Sequence, residues 1–190
     1  ETAANIKNQI AGMKEFGAVT GQNMLGITQS IRDATAGIVD FQTAAQTAAI
    51  TTSAGFSADQ VVKLAEGAKL ASVALGRDLT DSLNRVIRGV TKAEPELLDE
   101  LGIILRLDTA TKKYADKYDL VANKLTIAQR QTAVYEEVQG QLNDKFGDFA
   151  EQADNLVNPF AALQTSFSDI IVGLSGFIGP LEVVAKFLSE

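Results

Sequence analysis

Between Phe160 and Leu188 the large apolar residues recur in steps of three and four without a break: Phe160, Leu163, Phe167, Ile170, Leu174, Phe177, Leu181, Val184 and Leu188. A 3.5-residue period keeps one stripe facing a partner while helices supercoil, so it commits the segment to helix and to helix-on-helix assembly. A single amphipathic heptad would be satisfied by packing on its own domain. Four successive heptads favour a seam between helices, within the chain or between copies. Ile171 and Ile178 broaden the stripe and, with the bulky phenylalanines, point to more than two strands, a trimer ahead of a hexamer. Pro180 opposes a straight rod, because a proline inside a helix removes a hydrogen bond and costs about 3 kcal/mol. With Gly173, Gly176 and Gly179 beside it, it is expected to divide the segment into two phased helical pieces near Phe177.

The rest of the chain also reads as helix. Only three prolines occur, Pro95, Pro159 and Pro180, and alternating apolar–polar runs are scarce. The expected fold is all-α: several helices joined by short loops plus the heptad segment, elongated and oligomeric. Residues 1–55 are rich in Ala, Thr, Gln and Gly. They carry two thin stripes, one at Ile6, Ile10, Met13 and Phe16, the other at Ile27, Ile31, Ile38 and Phe41. Gly21, Gly26 and Gly37 weaken both, at about 1 kcal/mol each relative to alanine in a helix. Such helices need another body to pack on. The tract from Thr43 to Gly55 reads as a helix end or linker.

Residues 56–147 form the expected central module. Ser57 with Gln60, and Thr126 with Gln129, are capping-box pairs that open helices. Val61, Leu64, Ala65, Ala68, Ala71 and Leu75 give the first buried face, and Gly76 stands where a helix ends in a left-handed residue. Leu79, Leu83, Val86, Ile87 and Val90 give the second face. Pro95 opens a short third helix that Gly102 closes. Ile103 to Leu107 reads as a loop or short extended segment. Asp108 is expected to cap a helix through Tyr114 and Tyr118. Ile127, Val134, Val138, Leu142 and Phe146 are spaced for burial on a longer one. Residues 148–190 hold the heptad segment. The chain starts at Glu1 without a methionine and is expected to be a piece of a longer protein.

The composition removes most enzyme chemistry. There is neither cysteine nor histidine, so disulfides, thiolate zinc sites, cysteine nucleophiles and the usual serine triad are excluded. Glu94, Glu96, Asp99 and Glu100 form a dense acidic group that reads as a solvated helix face with favourable first-turn carboxylates rather than an acid–base pair or magnesium site. Arg77, Arg85 and Arg88 are interleaved with Asp78 and Asp81 and are expected to pair internally. The net charge of −7 argues against sequence-specific binding of nucleic acid. Tyr114, Tyr118 and Tyr135 are spaced too widely for a stacking platform. No catalytic, cofactor-binding or metal-binding residue is assigned, and no cofactor is expected. The uncharged run Ile170–Leu181 is about a dozen residues, short of the ~20 that span a bilayer. Its glycines at three-residue intervals nevertheless resemble peptides that insert after release, which keeps a membrane-active channel as the alternative function.

From Leu75-Gly-Arg-Asp-Leu-Thr-Asp-Ser-Leu-Asn-Arg-Val-Ile-Arg-Gly89 and Glu94-Pro-Glu-Leu-Leu-Asp-Glu-Leu-Gly-Ile103 onward, the chain resembles the module of phage tail tape measure proteins. The resemblance continues through Arg106-Leu-Asp108, Tyr114-Ala, Leu125-Thr126 to Arg130-Gln131, and Phe167-Ser-Asp-Ile to Pro180-Leu. It covers about residues 50–190, while residues 1–50 share only the texture. It implies a virion protein in the lumen of the tail tube, present in the host cytoplasm during assembly. Several copies would meet the tube protein and the tip or baseplate hub, nucleate tube growth, set tail length and leave at DNA ejection, with possible contact with the host membrane. Some relatives of this kind carry lytic domains, and nothing here matches one. A helix of all 190 residues would span only about 285 Å at ~1.5 Å per residue, so an end piece or anchor is expected rather than the whole ruler.

Overall fold

The structure, a computed structural model, describes residues 3–150 and Ala153. Among them the chain is all-α, with eight α-helices, two 3-10 turns and no strand. The helices are α1 (Ala3–Thr20), α2 (Met24–Ala34), α3 (Phe41–Ser53), α4 (Ala58–Leu75), α5 (Leu79–Thr91), α6 (Pro95–Asp99), α7 (Leu107–Lys117) and α8 (Ile127–Phe146). The 3-10 turns are Ala122–Lys124 and Gly147–Phe149.

Local chemistry fixes most of the boundaries. The Ser57 hydroxyl accepts the Gln60 N–H at 3.3 Å while the Gln60 side chain accepts the Ser57 N–H at 2.9 Å. Thr126 and Gln129 repeat the exchange at the start of α8, at 3.2 and 2.9 Å. Gly76, at φ +63°, ends α4 in the left-handed region, and Arg77 N–H closes back on Ser72 O at 2.9 Å. Asp78, Asp40 and Asn23 cap α5, α3 and α2. The helix through Tyr114 starts at Leu107, and Asp108 makes no cap bond; it lies in the first turn, where its charge favours the helix dipole.

α4 lies at the centre, touching α2, α3, α5 and α8. Its buried residues are mostly small: Ala65, Ala68 and Ala71 have no exposed surface, and Gly67 and Ser72 are buried beside them. A methyl group at Gly67 would stand 2.8 Å from Leu142 Cδ1 and 3.3 Å from its Cβ, so any larger residue there would push on the buried Leu142 of α8. Of the two readings of the tract 43–55, helix end holds and linker does not: α3 runs through it to Ser53, with Ala44, Ala45, Thr47, Ala48 and Thr51 buried. Threonine can be buried there because its hydroxyl bonds within its own helix, as Thr51 does to Thr47 O at 2.8 Å and Thr28 to Met24 O at 2.8 Å. The thin stripes of the N-terminal helices thereby join one apolar cluster running from Met13 to Phe146. Gly21 and Gly37, at φ +70° and +75°, lie in the turns after α1 and α2 rather than inside helices.

Two apolar residues expected inside are outside. Leu75 is 43% exposed, since the chain turns away at Gly76 immediately after it, and Ile127 is 80% exposed on the first turn of α8. The other expected faces of α4, α5 and α8 are buried.

Gly89 provides a test of this packing. A Cβ there would lie 2.5 Å from Leu98 Cγ, and Leu98 is completely buried, so α6 must move. Gly89→Ala should lower stability by about 1–3 kcal/mol, read as a reduced urea midpoint at unchanged slope. A midpoint at or above that of the parent would show that helix propensity outweighs the close approach.

Candidate interaction surface

The segment carrying the 75–103 motifs is tied together by charge. Asp81 Oδ2 accepts from Arg85 Nε at 2.8 Å and from Arg77 Nη2 at 3.1 Å. Glu100, at the end of α6, meets Arg85 Nη1 at 2.7 Å and Arg77 Nη2 at 3.3 Å. Two arginines thus bridge two carboxylates and lock α6 against the start of α5. Arg88 pairs with Glu94 at 3.4 Å. The expected internal pairing is present, with a shift of partners: Asp78 serves as the cap of α5, and the acidic group supplies Glu94 and Glu100 to the arginines. The Arg85 and Arg77 guanidiniums hold the Asp81 carboxyl below its ordinary value.

After Gly102, residues 103–106 are neither helix nor strand, with Ile103 and Leu105 buried and Ile104 exposed. The Gln141 amide from α8 pairs with Ile104 as a neighbouring strand would: Oε1 accepts Ile104 N–H at 2.9 Å, and Nε2 donates to Ile104 O at 2.8 Å. Lys145 donates to Gly102 O just before it. These bonds satisfy backbone groups of a stretch that has no helical partners of its own.

α7 then returns along α8. Lys113 meets Glu137 at 2.8 Å, and Glu136 receives Lys117 at 2.9 Å and the Tyr118 hydroxyl at 3.0 Å. Burial pushes Glu137 up, but Lys113 and Gln141 donate to it and hold it below its ordinary value overall. The three tyrosines do not come together: Tyr114 and Tyr118, one helical turn apart, have tilted rings with centroids 4.6 Å apart. Tyr135 packs on Phe56 instead, at 6.1 Å.

Opposite this clasp, α5, α7, the turn at 122–124 and α8 enclose an open groove of about 1050 Å³. Val90, Ala115 and Val134 are buried in its wall, while Leu107, Leu120, Val121 and Ile127 stand exposed along it. The sequence reading missed this surface. Ile127 falls in phase with the buried face of α8 but lies one turn beyond the neighbours that cover it. The signal available was Leu120 and Val121, two large apolar residues in a loop.

Among the described residues no group of acidic side chains is placed to hold a metal ion, and no helix is long and apolar enough to cross a membrane. The nine seam residues, Phe160, Leu163, Phe167, Ile170, Leu174, Phe177, Leu181, Val184 and Leu188, lie outside the described residues.

Two changes test the ties. Gln141→Ala should cost about 1–3 kcal/mol in urea unfolding, because the Ile104 N–H and C=O both lose their partner; a loss under about 0.5 kcal/mol would mean that water replaces the amide freely. For Asp81, a depressed carboxyl contributes stability above the ordinary carboxylate value of 3.8 and loses it as pH falls through the lower folded value. The gap between the parent and Asp81→Asn should therefore be present at neutral pH and close in strong acid. With a side chain 43% exposed, its size should stay under about 1 kcal/mol. A gap independent of pH would remove the charge from the account.

No protein-family model matches the chain, and no solved structure matches it.

Proposed function

We propose that this chain is a structural assembly protein of a phage tail, of the tape measure kind, acting as a compact terminal or anchoring module rather than as the ruler itself. The observation that carries the reading is the pair of motifs at 75–89 and 94–103, which resemble that family closely enough to be specific. These motifs occupy α5, α6 and their ion-paired junction, so what they encode is a helical packing unit. An anchoring role is supported by shape: α8, the longest helix described, has 20 residues and reaches about 30 Å, and the helices fold back on one another. Length would have to come from elsewhere in the assembly.

In this reading the seam from Phe160 to Leu188 joins copies, and the outer faces meet the tube protein and the tip or baseplate hub. The protein works in the tube lumen, helps to start tube polymerisation, and departs at ejection. It carries no catalytic role and needs no cofactor.

Tail formation in a phage carrying this gene tests the proposal. Leu83→Asp places a charge on a side chain with no exposed surface and should open the core. Electron microscopy of the lysate should then show heads with absent or aberrant tails. In-frame deletions in other helical parts of the gene should shorten tails by up to about 1.5 Å per residue removed. Tails of normal number and length in both cases would overturn the tail reading and favour the membrane-active alternative. For the seam, Leu174→Asp should give absent or aberrant tails in the same lysate assay, and tails of normal number and form would remove the seam from the assembly.

A further inference from the structure

The groove between α5, α7 and α8 gathers four of the large apolar residues that the described surface exposes: Leu107 at 42%, Leu120 at 39%, Val121 at 56% and Ile127 at 80%. Val90 and Val134 continue the apolar wall beneath them. A contiguous apolar surface of this kind implies something that covers it.

We propose that its occupant is the heptad segment of the same chain, residues 160–188, docked along the groove. Three observations carry this. The sequence of the segment repeats nine large apolar residues at heptad spacing, and a helix carrying them on one stripe would need a partner surface to leave water. It is tethered: 37 residues follow Ala153, so its local concentration at the groove is on the order of millimolar before any second copy arrives. It also reaches. From Phe146 back to Ile127 is 19 residues of helix, about 28 Å, whereas residues 160–188 as helix would extend about 43 Å and residues 154–159 add an extended connection of about 20 Å. Charge agrees in sign, since Lys92, Lys112 and Arg130 outnumber Asp108 and Asp116 around the groove. Residues 154–190 carry Asp154, Asp169, Glu182 and Glu190 against Lys186 alone.

The consequence is a seam that is covered within the free chain and becomes available to other copies only when displaced from the groove. This stands whether or not the chain belongs to a tail.

The absence of cysteine makes the test direct. Ile127→Cys in the full chain changes a residue 80% exposed and leaves the core intact. It is labelled with a benzophenone maleimide, and equal amounts of natural-abundance and nitrogen-15 chains are mixed before irradiation. Mass spectrometry should find adducts on residues 160–188, all within chains of one isotope, and none from a control label at Val19→Cys on α1. Adducts joining light to heavy chains would make a second copy the occupant and overturn the proposal. So would the absence of adducts on residues 160–188, or equal adducts from the Val19 position.

Discussion

Everything described here hangs on how closely other helices can approach α4. A helix in the middle of a small bundle contacts neighbours on several sides, and bulky residues all round would hold them too far apart to exclude water. α4 meets the constraint with Ala65, Gly67, Ala68, Ala71 and Ser72, reserving Val61 and Leu64 for its first turns. The Gly67–Leu142 approach brings α8 in, and Gly89 does the same for α6 against α5 through Leu98. Once these distances are set, the course of the non-helical stretch at 103–106 follows, because α8 is then near enough for Gln141 to satisfy Ile104. The α7–α8 clasp and the groove beside it are positioned in turn.

The same constraint explains which parts of the fold were legible in the sequence. Signals that act within one turn of chain were readable: both capping boxes, the left-handed Gly76, Pro95 at the start of α6 and the buried face of α5. What depends on neighbours was not. The Ala- and Thr-rich tract 43–55 reads as a helix end or a linker because its residues are small; it is the body and end of α3, and smallness lets α3 pack against α2. Ile127 and Leu75 keep the right phase but lie at helix ends that no neighbour covers. Arg77 and Arg85 were expected to pair nearby, and the bridge to Glu100, 23 residues after Arg77, could come only from the fold.

Among the described residues the chain is all-α and exposes an apolar groove, and the proposed function asks of it only that it offer such surface and withhold it. The groove supplies one such surface and the heptad pattern of the sequence another, and the two proposals together keep one against the other until a partner arrives. The ion-paired junction, with Asp81 and Glu100 shared between two arginines, ties α6 to the start of α5, the helix whose other end lines the groove.

The central claim is that residues from α2 to α8 form one cooperative core around α4, so that the small-residue helices of the first 55 residues are built into the module. Native-state hydrogen exchange of the full chain in low urea tests it most directly. The account predicts that the slowest amides of α2, α3, α4, α5 and α8 share one opening free energy and one urea dependence, equal to those of global unfolding. Amides of α2 and α3 that open together at markedly lower free energy, while α4, α5 and α8 remain protected, would contradict it.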